Sequence, residues 1–222
     1  GIGANSAIFT LVDAVLLRPL PFQAPEQLVK VWERPPGHDH NSVSPLTFVD
    51  WSEQNHVFSS MAAVTGSSRT LTGVGGSAEK LRGQGVTLAF FDLLGVAPLL
   101  GRTFSAEDVR QHADVVILSE RLWRDRFGSD ATLVGRPIML DSQPFTVIGI
   151  VSARFQISYE SQLWTPFIPK RSPEQRRKRY LQVIGRLRPG GALDHAPAEM
   201  GALAEGHAGI APETNRGRGT TT

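Results

Sequence analysis

The sequence contains no cysteine, and that absence excludes a disulfide framework, a thiolate metal site and a cysteine nucleophile. It fits an oxidising compartment as well as the cytosol, so it does not choose between them. A phosphate-binding loop is also missing, because no Lys-Ser or Lys-Thr pair follows the glycine-rich segment Gly73–Gly76. No GxSxG elbow surrounds Ser67 or Ser68, and a serine nucleophile has no positive support. The sequence therefore predicts no catalytic residue, no cofactor-binding residue and no enzymatic activity.

The sequence also lacks a convincing metal-binding cluster. His38-Asp39-His40 places two imidazoles beside a carboxylate, in a loop rich in proline and glycine. No third or fourth ligand follows at the spacing of a metal site, and histidines in such loops are more often solvated. We therefore expect no bound metal.

Long apolar runs are lacking as well. A membrane-spanning helix needs about 20 predominantly apolar residues. Gly1–Leu17 is shorter and contains Asp13, and Arg18 follows it directly. Two interpretations remain: an amphipathic helix, or the outer half of a truncated membrane helix with Asp13 near the interface. Both make Gly1–Leu17 helical, and both let Pro19 and Pro21 break it. The apolar face of this helix would contain Ile2, Ile8, Leu11, Val12, Val15 and Leu16.

The rest of the chain predicts an α+β protein, with an apolar fraction of 41% that is sufficient for a core. The clearest passage is Val115–Val151. It begins with an apolar strand, Val115–Leu118, and continues as a helix with Ser119 as N-cap and Gly128 as its stop. A hairpin follows, in which Pro137–Leu140 and Pro144–Val151 flank the loop Asp141-Ser142-Gln143.

Other helix boundaries follow from capping residues. Ser44 followed by Pro45 predicts a helix start, and Ser105 with Asp108 forms a capping box. Thr87 is expected to cap a helix over Leu88–Leu94. Further strands are predicted at Gln27–Glu33, Met61–Leu71, Glu79–Val86, Leu163–Phe167 and Tyr180–Leu187, and a last helix at Leu193–Ile210. The predicted core contains Trp51, Phe58, Phe91, Leu94, Phe104, Leu118, Leu122, Trp123, Phe127, Val147, Ile148 and Trp164.

Ordered blocks over most of the chain resemble one known family. They are GIGANSAIFTLVDAVLLRPLPF at Gly1–Phe22, SPLTFVDWSEQNHVFSSMAAV at Ser44–Val64, LAFFDLLGVAPLLGRTFSAED at Leu88–Asp108 and VIGRLRPGGALDHAPAEM at Val183–Met200, together with the Val115–Val151 passage. They are similar to the extracytoplasmic core domain of MacB/FtsX-type ABC transporter permeases, closest to the group of duplicated orphan permeases. Each block alone would be a weak match, but their order makes the resemblance specific.

The resemblance implies a nested domain organisation. Residues 1–22 would be the end of a transmembrane helix and its exit. Residues 23–72 and 160–211 would form a porter-like α/β subdomain, interrupted by a smaller mixed α/β, Sabre-like subdomain at 73–159. Residues 212–222 have no apolar periodicity and are expected to be a disordered tail.

The resemblance also implies a function and partners. The chain would be a non-catalytic periplasmic domain of an inner-membrane permease that transmits ATP-driven conformational change for export or mechanotransmission. The implied partners are a second permease in a homodimer or pseudo-dimer, an ATP-binding subunit and, as a further candidate, a periplasmic adaptor. The N-terminal helix would contact the membrane, and no nucleic acid or cofactor is expected.

A basic segment at Pro169–Arg188 supports an alternative. It contains eight basic residues against Glu174 alone, although the net charge of the whole chain is only +2. It could be a solvated or partner-facing helix beginning at Ser172-Pro173, a surface for anionic lipid headgroups, or a surface for nucleic-acid phosphates. The alternative function is thus a soluble module that binds anionic ligands or nucleic acid. The basic residues are Lys170, Arg171, Arg176, Arg177, Lys178, Arg179, Arg186 and Arg188.

Overall fold

A computed structural model describes residues 6–11, 24–34, 41–74, 77–152, 161–176 and 178–189. These residues form twelve strands, four α-helices and three 3-10 helices. In chain order the strands and α-helices are β1 Ser6–Leu11, β2 Leu28–Arg34, α1 Pro45–Gln54, β3 Phe58–Gly66, β4 Arg69–Thr72, β5 Glu79–Leu81, β6 Gly83–Val86, α2 Phe90–Leu94, β7 Leu100–Gly101, α3 Ala106–Arg110, β8 Val115–Ser119, α4 Glu120–Phe127, β9 Pro137–Leu140, β10 Gln143–Val151, β11 Leu163–Pro166 and β12 Gln182–Leu187. The 3-10 helices are Pro25–Gln27, Ala131–Leu133 and Pro173–Arg176.

Contacts along the chain divide it into two compact units. The first contains Gly1–Leu11, Glu26–Ser60 and Lys170–Thr222, and the second contains Val12–Pro25 and Met61–Pro169. The chain therefore leaves the first unit within β3 and returns to it between Pro169 and Lys170. The α+β class predicted from the sequence is confirmed.

In the first unit, β2 lies between β1 and β12 and runs antiparallel to both. Val31 of β2 is opposite Phe9 of β1 on one side and Val183 of β12 on the other. From Val29 to Glu33 of β2 the buried residues alternate with partly exposed ones, as the two faces of a strand require. The inward positions are Val29, Val31 and, unusually, the carboxylate of Glu33.

The helix predicted at Gly1–Leu17 is wrong over the part that the structure describes. Ser6–Leu11 is strand β1, which pairs with the whole of β2 except its first residue. A short apolar segment cannot be assigned to helix or strand by periodicity alone, and here an open strand edge of β2 provides hydrogen-bonding partners along its length. Among the described residues, no helix combines the length and the apolar character needed to cross a membrane.

Helix α1 begins where the sequence predicts. The side chain of Ser44 accepts a hydrogen bond from the Thr47 amide at 3.2 Å, and Pro45 occupies the first turn. At the other end Asn55 turns the chain into β3, because its side-chain nitrogen donates to the Trp51 carbonyl at 2.7 Å and its side-chain oxygen accepts from the Phe58 amide at 2.8 Å. The buried side of α1 includes Phe48, Val49 and Trp51.

The second unit contains a mixed sheet in the order β3-β6-β11-β8-β10-β9-β4-β5, and β7 also pairs with β10. The pairs β6–β11 and β8–β10 are parallel, and the other pairs with a described register are antiparallel. The single strands predicted at Met61–Leu71 and Glu79–Val86 are each two strands. The sequence missed these breaks because they depend on distant pairing: β4 lies between β5 and β9, whereas β3 and β6 pair with each other.

The Val115–Val151 passage folds largely as predicted. Ser119 accepts a hydrogen bond from the Leu122 amide at 3.2 Å, and Gly128 ends α4 with a left-handed φ of 59°. Trp123 and Phe127 are only partly buried against the core, because α4 turns one narrow face towards the sheet. The other ten predicted core residues are buried: Trp51, Phe58, Phe91, Leu94, Phe104, Leu118, Leu122, Val147, Ile148 and Trp164.

Two local predictions need correction. Thr87 does not cap α2; its hydroxyl accepts from the Ala63 amide at 2.9 Å, and α2 begins without a side-chain cap. The β9–β10 hairpin loop is shorter than predicted, with only Asp141 and Ser142, at φ 49° and 65°. The predicted helix Leu193–Ile210 and the tail at 212–222 lie outside the described residues.

Candidate functional site

The basic segment is the strongest candidate site, and the structure pairs three of its described arginines with carboxylates of the first unit. We call residues 170–176 and 178–180 the strap; they lead into β12 and include the 3-10 helix Pro173–Arg176. One interpretation of the sequence places a solvated helix here, beginning at Ser172-Pro173, and the structure has only this short 3-10 helix. Three strap arginines bind acidic side chains: Arg171 binds Glu53, Arg176 binds Asp50 at 2.9 Å and Arg179 binds Glu33 at 2.5 Å.

Glu33 is the buried centre of this network. Its side chain is completely inaccessible, and its two oxygens accept separately from the Arg179 guanidinium at 2.5 Å and the Ser44 amide at 3.0 Å. Its backbone exchanges hydrogen bonds with Asn41, at 3.0 and 2.7 Å. A buried charge is tolerated only when it is paired and hydrogen-bonded. Glu33 therefore joins β2, the start of α1 and the end of the strap.

Asp50 and Glu53 extend the network along α1. Residues three apart on a helix share a face, so both carboxylates meet the strap while Trp51 is buried. The hydrogen bond from Arg171 lowers the pKa of Glu53, and the same bond raises the pKa of Arg171. No pattern in the sequence singles out these three carboxylates as partners of the basic segment. The signal that could have revealed Glu33 is its charge at an inward position of the strand predicted at Gln27–Glu33.

This pairing engages three of the arginines that an anion-binding surface would use, namely Arg171, Arg176 and Arg179. Lys170, Lys178 and Arg188 are exposed, whereas Arg186 is partly buried and its pKa is lowered, chiefly by that burial. Tyr180 is 41% exposed, and burial of its remainder raises the pKa of its hydroxyl. The strap is thus in large part a structural tie within the first unit.

The block Leu88–Asp108, one of those that carry the family resemblance, forms packing and turn contacts. The Phe91 ring packs against Phe104 and Trp164, with centroids 5.8 and 6.0 Å apart. Gly95 ends α2 in the left-handed conformation. Gly101 has φ +73°, and a Cβ there would lie 2.1 Å from the Ile148 carbonyl oxygen. Close approach of two backbones therefore requires glycine at this position.

The block ends in a second arginine–carboxylate site. Asp108 accepts two bonds from the Arg102 guanidinium, at 2.5 and 2.9 Å, and two from the Ser105 amide and hydroxyl, each at 2.8 Å. Chiefly because of the Arg102 bonds, the pKa of Asp108 falls to about 2. A carboxylate held ionised in this way is a poor general acid or base at neutral pH, so it serves as a helix cap.

Of the remaining candidates from the sequence, those that the structure describes do not assemble into a chemical site. The Ser67 hydroxyl lies 3.4 Å from that of Thr165, and Gly73 makes a turn with φ 83°. Within the described ranges, no cluster of three or more His, Asp or Glu side chains could hold a metal ion. His38, Asp39 and His40 lie outside those ranges.

Comparison with known proteins gives this scaffold a family. The family of MacB-like periplasmic core domains matches residues 1–203. The macrolide export ATP-binding/permease protein MacB of Burkholderia thailandensis is 30% identical over 87 residues, which are 38% of this chain and 13% of that protein. The corresponding protein of Chromobacterium violaceum is 31% identical over 121 residues, which are 54% of this chain and 19% of that protein. The chain therefore spans less than a fifth of these relatives.

Solved structures agree on the fold. The periplasmic region of MacB from Actinobacillus actinomycetemcomitans matches with a TM-score of 0.58 and 20% identity, over 79% of this chain and 77% of that chain. The extracellular domain of the ABC-type transporter YknZ from Gram-positive bacteria matches with a TM-score of 0.55 and 16% identity, over 75% and 85% of the two chains. With a family match over nearly its whole length and a fold shared with these structures, the chain belongs to the family of MacB-like periplasmic core domains.

Proposed function

We propose that the chain is the extracytoplasmic core domain of an ABC transporter permease, and that it transmits ATP-driven conformational change for export or mechanotransmission. Family membership over residues 1–203 is the observation that carries the proposal. The chemistry of the described residues supports it, because the prominent charged groups bind one another. Glu33 and Asp108 are buried and held by arginine, as suits a scaffold that moves as a body.

We further propose the partners and location that the relatives suggest. The curated relatives are named as export proteins that combine ATP-binding and permease functions. This chain would act beside an ATP-binding subunit and a second permease, with a periplasmic adaptor as a further candidate, and would bind no nucleic acid. It would lie in the periplasm, as part of a protein of the inner membrane.

The nested domain organisation is also proposed. Residues 23–72 and 160–211 would be the porter-like subdomain, and residues 73–159 the inserted Sabre-like subdomain. Support comes from the division of the chain into a discontinuous first unit and a second unit drawn largely from Met61–Pro169.

The location can be tested by labelling, because the chain has no cysteine of its own. Leu99 is 51% exposed and Ala62 is fully buried, so Leu99→Cys and Ala62→Cys form a matched pair in a permease without other cysteines. In cells whose outer membrane is permeable and whose inner membrane is intact, a membrane-impermeant maleimide should label Leu99→Cys. It should label Ala62→Cys only after denaturation. Labelling of Leu99→Cys only after the inner membrane is lysed would contradict a periplasmic location.

Transmission of movement can be tested by distance measurements in the reconstituted permease. A spin label at Ser52→Cys, an exposed position of α1, would report on the first unit, and one at Leu99→Cys would report on the second. We expect the distance distribution to change between nucleotide-free and ATP-bound states. A control pair inside the second unit, Leu99→Cys with Ser142→Cys, should not change. An unaltered first pair during active ATP hydrolysis would contradict the proposal.

A further inference from the structure

The three ion pairs of the strap differ systematically in their exposure to solvent. From the β12 end outward, the exposed fraction of the carboxylate side chain rises from 0% at Glu33 to 16% at Asp50 and 50% at Glu53. The guanidinium side chains follow the same trend, with Arg171 at 64%. The strap is therefore tied at one end in the interior and at the other end in water.

Burial decides how strongly each pair resists opening. An exposed pair is screened by water and salt and contributes little. A buried pair that loses contact leaves a charge without solvation, which is strongly unfavourable. Opening at Arg171 exposes little that was not already in water, whereas separating Arg179 from Glu33 also disturbs the Ser44 amide at the start of α1.

We propose that the strap is a clamp on α1 that opens in a fixed order, from its Arg171 end towards its Arg179 end. The end that opens first lies next to Pro169, where the chain returns from the second unit. The end that opens last joins β12. The clamp thus gives the first unit a stretch of chain that can be released in steps while β2, β12 and α1 keep their contacts. This property belongs to the first unit itself and does not depend on the transport proposal.

Amide hydrogen exchange measured by NMR on the whole chain can resolve the order. The Gln175 amide donates to the Ser172 carbonyl at 2.9 Å and reports the outer strap. The Leu181 amide donates to the Val43 carbonyl at 3.0 Å and reports the inner end. The Asn55 amide, bonded to the Trp51 carbonyl at 3.0 Å, shows whether α1 stays folded.

Salt provides a test without mutation. Raising NaCl from about 50 mM to about 1 M shortens the screening length roughly threefold or more. We expect exchange at Gln175 to accelerate a few-fold while Leu181 and Asn55 stay unchanged. Equal acceleration at Gln175 and Leu181 would show that the strap opens as one unit and would overturn the proposal, as would no acceleration at either.

Substitutions test the same order. Arg171→Gln should raise exchange at Gln175 a few-fold and leave Leu181 unchanged. The control Arg110→Gln removes the exposed ion pair with Glu107 on α3 and should alter neither amide. Arg179→Met should raise exchange at both amides on the order of a hundredfold or more.

If Arg179→Met does not fold, a double substitution provides a second background in which the order of opening can be measured. Glu33→Gln combined with Arg179→Met removes both charges and keeps an acceptor for the Ser44 amide. In this background, Arg171→Gln is again expected to accelerate Gln175 alone. Acceleration of Leu181 by Arg171→Gln in either background would overturn the ordered opening.

Discussion

Glu33 in the first unit and Asp108 in the second are both buried carboxylates bound by an arginine, but they tie together very different lengths of chain. The groups that bind Asp108 come from within six residues, namely Arg102 and Ser105. Glu33 binds the Ser44 amide eleven residues away and Arg179, which lies 146 residues away. One site stabilises a local turn and helix start. The other connects a strand, a helix and the strap.

The difference in connectivity predicts a difference in consequence. When the Asp108 site is lost, the affected helix is only the five-residue α3. When the Glu33 site is lost, a buried charge remains among segments that meet only in the folded chain. We therefore expect the Glu33 site to have the larger effect on global stability.

The largest effect is expected for Arg179→Met. It leaves the Glu33 carboxylate buried without its cation, which should lower the free energy of unfolding by about 3–5 kcal/mol. Urea denaturation followed by circular dichroism measures this change. The double variant Glu33→Gln with Arg179→Met is the control, and it should recover most of the loss. An Arg179→Met variant as stable as wild type would show that the long-range site does not hold the unit together.

Asp108→Asn should have the next largest effect, about 2 kcal/mol at neutral pH, because each pKa unit corresponds to about 1.4 kcal/mol. The pKa of Asp108 in the folded chain is about 2, below the ordinary 3.8. The ionised form is thus the one that folding favours. Its contribution is complete above about pH 4 and is lost as the pH falls towards 2.

Denaturation of wild type and Asp108→Asn at several pH values tests this sign. The difference in unfolding free energy between them should shrink as the pH falls from about 4 to about 2. Asp141, whose pKa is lowered chiefly by its bond to the Thr70 amide, is present in both proteins, so its contribution cancels in the difference. A difference that stays constant over this range would contradict the role of Asp108.

The same contrast explains what the sequence could predict. The capping box of Ser105 and Asp108, the cap at Ser44 and the stop at Gly128 depend on neighbours within a few residues, and all are confirmed. The family resemblance rested on such local blocks, and it is confirmed too. Most predicted core positions are also correct, because burial follows from periodicity within each element.

What the sequence could not predict depends on distant partners. Ser6–Leu11 became a strand because β2 presents an edge to it, and no local pattern reveals that edge. The basic segment is the main charge anomaly of the sequence. The partners of Arg171 and Arg176, which are Glu53 and Asp50, lie more than a hundred residues earlier, so no local pattern reveals these two ion pairs.

A smaller effect of opposite sign is expected for Ser142→Gly. Both hairpin residues have positive φ, and Asp141 is held there by the Thr70 amide at 2.8 Å and by Arg69 at 3.1 Å. Ser142 has φ 65°, a conformation that costs a non-glycine residue about 1–2 kcal/mol. Glycine removes that strain but gains freedom in the unfolded chain, so a net stabilisation below about 1 kcal/mol should appear in urea denaturation. Destabilisation would show that the Ser142 side chain makes a necessary contact.

The smallest effects should come from two exposed ion pairs that repeat the contrast between local and long-range contacts. Arg110 binds Glu107 within one turn of α3, whereas Arg171 binds Glu53 across 118 residues. If burial rather than chain separation sets the strength of an ion pair, solvent should screen both alike. Neither Arg110→Gln nor Arg171→Gln should then shift the urea midpoint measurably, although Arg171→Gln accelerates exchange at Gln175. A midpoint shift for Arg171→Gln as large as that for Asp108→Asn would instead make chain separation the deciding factor, because that pair is as open to water as the control.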